Sequence, residues 1–126
     1  MRGRRITLTD GSAIVVENLG LGSGETLAVT ASESVEIFGT DPFGSSSTGL
    51  FTGTINGNGG NLTINTKRLF VRDGGFVSTN TYPSYEGTVF TTTLSKGNAG
   101  GLNVNALYVE LSGTSPSGQF PSGLFS

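Results

Sequence analysis

The chain has 126 residues, enough for one hydrophobic core but not for two independent ones. Gly (21 residues), Ser, Thr and Asn make up about half of it, far above globular usage, while charged residues are 13% and the net charge is −2. That balance excludes a polyanion-binding surface, so no nucleic acid partner is expected, and the absence of Cys excludes a disulfide framework or a thiolate metal site.

In chain order, the first feature is the basic group Arg2, Arg4 and Arg5, read as a solvated terminus. It resembles the start of a signal peptide, but the next segment, Ile6-Thr-Leu-Thr-Asp-Gly11, is broken by polar residues and supplies no apolar stretch. The expectation is an internal fragment of a longer array, or a chain whose signal has been lost. Gly20-Leu-Gly-Ser-Gly-Glu-Thr26 looks like a phosphate loop but has neither its Lys nor its spacing, and is read as a corner. Leu27-x-Val29 and Val35-x-Ile37 then alternate with period two, as do Leu62-x-Ile64, Leu69-x-Val71, Leu102-x-Val104 and Val109-x-Leu111. That is the spacing of a strand with one buried face. Such order argues against a disordered Gly/Ser-rich linker. No stretch has helical spacing with caps, and no apolar run approaches the ~18 residues of a membrane helix.

Between the strands lie Asp41–Thr48 and Thr79–Gly87, predicted as loops protruding from one corner, with Pro42, Phe43, Tyr82, Pro83 and Tyr85 in them. Tyr82 and Tyr85 are the candidate surface-binding residues. Gly57, Gly59, Gly60, Gly97, Gly100 and Gly101 are expected at corners with positive φ. Asn58 and Asn98 are expected beside them, their amides hydrogen-bonding along a stack. The pairs Leu50-Phe51, Val89-Phe90 and Leu124-Phe125 are expected to form one aliphatic-on-aromatic ladder.

Internal repeats decide the fold class. Gly57-Asn-Gly-Gly-Asn-Leu-Thr-Ile-Asn-Thr66 matches Gly97-Asn-Ala-Gly-Gly-Leu-Asn-Val-Asn-Ala106, and the match extends to Leu69 over Val109 and Val71 over Leu111. Val35–Phe51 matches Val109–Phe125 with nine identities in 17 positions. Arg5-Ile-Thr-Leu-Thr-Asp-Gly11 matches Arg68-Leu-Phe-Val-Arg-Asp-Gly74. The unit is thus about 35–40 residues, with ladders that can skip a coil. Tandem similarity favours stacked copies over a closed sandwich, and polar residues opposite the apolar ones fit a sheet covered on its inner face alone. The prediction is a single all-β domain, residues 1–126: a right-handed parallel β-helix of about six coils, two coils to a unit.

The phrase Gly57–Thr66, with Arg68-Leu-x-Val-x-Asp-Gly-Gly-x-Val-Ser78 after it, resembles repeats of filamentous haemagglutinin-like proteins, particularly cyanobacterial ones, as does Leu111–Ser126. The resemblance covers nearly the whole chain. It implies a large secreted or cell-surface adhesin-like protein, exported as the passenger of a two-partner secretion system through an outer-membrane transporter. It also implies a surface glycan or a host or cell-surface receptor as partner. The family's secretion domain is not visible here.

The rival is a carbohydrate-active β-helix enzyme of the pectate lyase or polygalacturonase kind. Glycosidic chemistry needs two carboxylates on one face. Asp10 and Asp73 occupy equivalent Asp-Gly positions, which reads as turn chemistry, and Glu36 and Glu110 are equivalent, outward and two units apart. The Gly57–Ile64 phrase resembles a calcium-binding repeat without its Asp. No catalytic residue, metal ligand or cofactor is therefore assigned, and the expected function is a non-catalytic stalk.

Overall fold

The computed structural model describes residues 1–81 and 98–126. Tyr82 and Tyr85, with most of the predicted second loop and the Val89-Phe90 pair, lie outside the described residues. The described residues form eight strands: β1 (Arg2–Leu8), β2 (Ala13–Asn18), β3 (Leu27–Phe38), β4 (Gly49–Thr54), β5 (Leu62–Arg72), β6 (Phe76–Thr81), β7 (Leu102–Ser112) and β8 (Gly123–Phe125). No helix is present among the described residues. The chain alternates between two four-stranded sheets, ordered β1-β3-β5-β7 and β2-β4-β6-β8, and every neighbouring pair is parallel. The fold is all-β, and the described residues form four units that each give one strand to the first sheet and one to the second, the first-sheet strand being much the longer in the last three.

The register is the one the repeats imply. Leu62 pairs with Leu102, Ile64 with Val104, Leu69 with Val109 and Val71 with Leu111. Val35 pairs with Leu69, so Val35 and Val109 stand two strand steps apart. Leu50 pairs with Val77, and Val77 with Leu124. Equivalent residues therefore recur on alternate units. Each sheet has four strands among the described residues, where about six coils were expected. The expectation rested on a coil of about 20 residues. Here a strand of 11 or 12 residues in the first sheet, a return strand in the second and two connections use up a whole unit.

Side chains on parallel in-register strands stack in columns about 4.8 Å apart, so an apolar position must be apolar in every unit. Leu27, Leu62 and Leu102 form one column, Val29, Ile64 and Val104 the next. Ile6, Val35, Leu69 and Val109 form a third, and Leu8, Ile37, Val71 and Leu111 a fourth. The second sheet adds Ile14, Leu50, Val77 and Leu124. The buried members of both sheets make one contiguous cluster. In β5 the buried face passes from Leu62 and Ile64 to Leu69 and Val71, across two successive exposed residues, Lys67 and Arg68. A straight strand keeps one parity throughout, so the change of phase marks a bend. The same step occurs in β7 at Leu107 and Tyr108. In β3 the bend takes one extra residue, and the register shifts there between Ala31 and Ser34.

Three local expectations are corrected. Among Gly57, Gly59, Gly60, Gly100 and Gly101 none has positive φ, and Gly97 lies outside the described residues. Glycine is needed there because backbones of successive units touch: a Cβ on Gly24 would lie 2.5 Å from the Gly60 nitrogen, and one on Gly59 2.9 Å from the Gly100 nitrogen. A Cβ on Gly60 would overlap the Glu25 carbonyl. Second, Asn58 and Asn98 join the stack through their backbone carbonyls, which accept from Gly24 N (2.7 Å) and Gly59 N (2.8 Å). The side-chain amide ladder stands instead at Asn65 and Asn105, on the outer face, where Asn105 Nδ2 donates to Asn65 Oδ1 at 2.9 Å. Third, Thr79–Thr81 belong to β6 rather than to a loop. The slot between Leu50-Phe51 and Leu124-Phe125 that was expected for Val89-Phe90 is filled by Val77-Ser78 of the same sheet.

The close approach at Gly60 yields a paired expectation. Gly60→Ala should destabilise the fold by about 2 kcal/mol or more, since two backbones must separate. Gly22→Ala, where nothing lies within 4 Å of the added Cβ, should be neutral or slightly stabilising. Urea denaturation of the two variants checks this; equal midpoints would show that Gly60 is not pinned by the neighbouring unit.

Candidate functional site

The corner between the two sheets carries the least regular backbone. Asp10 (φ 57°), Gly39 (φ 86°), Asp73 (φ 51°) and Gly113 (φ 76°) come just after β1, β3, β5 and β7, and all are left-handed. Gly takes this region freely and Asp tolerates it, because its short side chain bonds locally. The repeated Asp-Gly phrase is thus a corner device, as its equivalence implied.

The connection beyond the corner differs between alternate units. After Asp10 and Asp73 the chain enters the second sheet within a few residues. After Gly39 and Gly113 it runs out and back, the two limbs meeting in antiparallel bridges at Thr40–Ser47 and Thr114–Pro121. Each excursion contains a β-turn with Pro at its second position, closed by Gly44 N to Asp41 O at 2.9 Å and by Gly118 N to Ser115 O at 2.8 Å. Asp41 braces the first loop. Its Oδ1 accepts from Ser45 N (2.6 Å) and Ser46 N (2.8 Å), and its Oδ2 from Ser45 Oγ (2.7 Å). Ser115 plays the same part in the second, its Oγ accepting from Phe120 N at 3.1 Å. Each loop is tied to a neighbouring unit: Gly11 N donates to Thr48 Oγ1 (2.9 Å) and Gly74 N to Ser122 Oγ (3.0 Å). Ser47 Oγ donates to the Gly74 carbonyl.

Long loop, tight turn, long loop leaves a recess over the tight turn at Asp73–Gly75, and the two loops stand two strand spacings apart, about 9.6 Å. On one side lies a cleft of about 680 Å³ bordered by Thr40–Gly44, Asp73, Pro116 and Ser117. Phe43 stands at its lip, 91% exposed. On the other lies a cleft of about 450 Å³ bordered by Ser46, Ser47, Phe76, Phe120, Pro121 and Phe125. The first has the carboxylates of Asp41 and Asp73 in a lining that is otherwise largely apolar; the second has three phenylalanines among its six lining residues. The prediction of a protruding loop at Asp41–Thr48 is met. The aromatic cleft was not foreseen, because Phe120 has no aromatic counterpart at Ser46. Phe76 carried a fainter signal: it pairs with Gly49 on one side and Gly123 on the other, and its ring occupies the space that the absent Gly49 side chain leaves.

The carboxylates are spread rather than gathered. Glu36 and Glu110 point outward in one column with Phe70 between them. Glu36 accepts from Ser34 Oγ (2.9 Å) and lies 3.9 Å from Arg5 Nε. Glu110 accepts from Arg72 Nε at 2.8 Å, and the same guanidinium lies 4.4 Å from the Phe70 ring centroid. That bond holds the Glu110 carboxyl below its ordinary value. Glu33 is lowered likewise by the Arg4 guanidinium, 2.6 Å away. No group of three or more Asp, Glu, His or Cys converges among the described residues. Asn61 is exposed, and its Oδ1 accepts from Gly101 N at 2.8 Å.

The Ser45 hydroxyl, then the Ser46 and Ser45 amides, hold the Asp41 carboxyl below its ordinary value. Its ionised form is the one the loop binds, so its contribution is present above the unfolded-state value and is lost as pH falls through the lowered one. Amide exchange should show Ser45 and Ser46 losing protection over that acid window, and Asp41→Ala should remove it at neutral pH. Unchanged protection in Asp41→Ala would show that the turn holds without the carboxylate.

No protein-family model, curated protein or solved structure matches this chain.

Proposed function

We propose that the chain is a segment of a right-handed parallel β-helix, and that it serves as a non-catalytic structural stalk of a secreted or cell-surface adhesin-like protein. The observation that supports this reading best is how the repeat-equivalent residues are employed. Apolar equivalents stack into columns, Asp10 and Asp73 make left-handed corners, and Glu36 and Glu110 rest beside arginines. A chain that assigns its recurrent carboxylates to corners and surface pairs keeps none of them back as an acid and base facing one substrate. The strict alternation between two parallel sheets supports a solenoid, since each strand then rests on its predecessor one unit back.

The resemblance of Gly57–Thr66 and Leu111–Ser126 to filamentous haemagglutinin-like repeats supports a stalk outside the cell, part of a passenger moved by an outer-membrane transporter. In that setting the corner loops, Thr40–Ser47 and Thr114–Pro121, are the parts that reach outward to a surface glycan or receptor. No helix among the described residues is long and apolar enough to cross a membrane.

A turnover assay separates the stalk from a β-helix enzyme. Incubation with pectin, polygalacturonate and neutral glycans should release neither reducing nor unsaturated ends. Release that Asp73→Asn or Asp10→Asn abolishes would overturn the proposal.

A further inference from the structure

The two-unit alternation has a consequence at the edges of the sheets. β1 and β2 are equivalent to β5 and β6: Arg5 corresponds to Arg68, Asp10 to Asp73, Ile14 to Val77. β7 and β8 are equivalent to β3 and β4. In the fold, β5 and β6 lie directly on β3 and β4. The edge formed by β1 and β2 therefore has the shape and register to lie on the edge formed by β7 and β8. Both edges have one side without a strand partner among the described residues.

We propose that the chain associates head to tail, β7 and β8 of one copy pairing in parallel with β1 and β2 of the next. In that register Val109, Glu110 and Leu111 meet Ile6, Thr7 and Leu8, while Gly123, Leu124 and Phe125 meet Ala13, Ile14 and Val15. The chain already makes nearly the same pairs internally. Ile6 lies on Val35, Thr7 on Glu36 and Leu8 on Ile37. Ala13 lies on Gly49, Ile14 on Leu50 and Val15 on Phe51. Each column thus continues across the junction with a neighbour it tolerates inside the fold.

Exposure and charge agree with this match. On one edge Val109 is 42%, Leu111 47% and Phe125 45% exposed; on the other Val15 is 48% exposed. These lie in or beside columns that are fully buried in the middle units. The β1 edge carries Arg2, Arg4 and Arg5, and Arg5 already sits 3.9 Å from Glu36, the counterpart of Glu110. Unpaired parallel edges of this kind are templates for another strand. The junction joins two different surfaces, and each step is a shift along the strand stack, so growth is open-ended. The inference rests on strand pairing and register within these 126 residues; in a longer array the same pairing joins one segment to the next.

Two variants of the full chain, Val15→Lys and Phe125→Lys, each spoil one edge and leave the other intact. Sedimentation of the unaltered chain should give an average mass that rises severalfold with concentration. Each variant alone should stay monomeric. An equimolar mixture should form dimers and stop there, because the sound β7–β8 edge of Val15→Lys meets the sound β1–β2 edge of Phe125→Lys, and the remaining edges are both blocked. Circular dichroism verifies that the variants fold, and Val109→Lys replaces Phe125→Lys if that one does not. A concentration-independent monomer for the unaltered chain would overturn the proposal. So would a mixture that does not dimerise, or a folded single variant that still dimerises and so reveals like edges pairing with each other.

Discussion

Parallel, in-register pairing between one unit and the next is the constraint on which everything else depends. Once Leu62 is placed on Leu27 and Leu102 on Leu62, each residue's neighbours along the stack are its own equivalents in the repeat. A position is then tolerated only if it can stack on itself or on its alternate. Apolar side chains satisfy this by forming columns that exclude water along their length. Asparagine satisfies it through amide-to-amide hydrogen bonding at Asn65 and Asn105. Charge does so only by alternation, which is why Glu36 and Glu110 are separated by Phe70 and each lies beside an arginine. The low content of charged residues reflects the same rule.

Alternation also explains why the repeat reads more sharply over two units than over one. In the second sheet the column Gly49, Phe76, Gly123 runs small, large, small, and the column Phe51, Ser78, Phe125, two residues along, runs large, small, large. Bulk missing from one row is supplied by the row beneath, so neither unit type stacks as well on a copy of itself. The corners alternate too, Asp and Gly succeeding one another at positive φ, and so do the connections, a projecting loop succeeding a tight turn. The recess between the loops is thus a product of packing periodicity: wherever a short connection lies between two long ones, a gap two strands wide must open.

Much of this was legible in the sequence, for a physical reason. Stacking in register converts spatial neighbours into repeat partners, so matching Leu69 with Val109, or Gly49-Leu50-Phe51 with Gly123-Leu124-Phe125, is already a statement about pairing. The inward and outward assignment of Leu62 and Thr63, and the turn role of Asp10 and Asp73, stem from local pattern and are met. The pattern concealed the contacts that repetition does not mark. Gly60 looks like any turn glycine, yet its φ is ordinary, and it is small because a carbonyl of the neighbouring unit fills the space. The described residues give four strands to each sheet, against about six coils expected, and the long strands carry their own bends, as at Lys67 and Arg68 in β5. The aromatic cleft combines Phe76, Phe120 and Phe125 from different units, and Phe120 breaks the repeat.

The central claim, parallel in-register stacking of β5 and β7, is open to direct chemical test because the chain has no cysteine of its own. Thr63, Asn65, Asn103 and Asn105 all face outward, with Thr63 opposite Asn103 and Asn65 opposite Asn105. Spin labels on double-cysteine variants at Thr63 with Asn103, and at Asn65 with Asn105, should show strong dipolar broadening for both pairs. The exchanged pairs, Thr63 with Asn105 and Asn65 with Asn103, should show less. The reverse ranking would mean antiparallel pairing, and weak coupling in all four would mean that the two strands are not neighbours; either result contradicts the account.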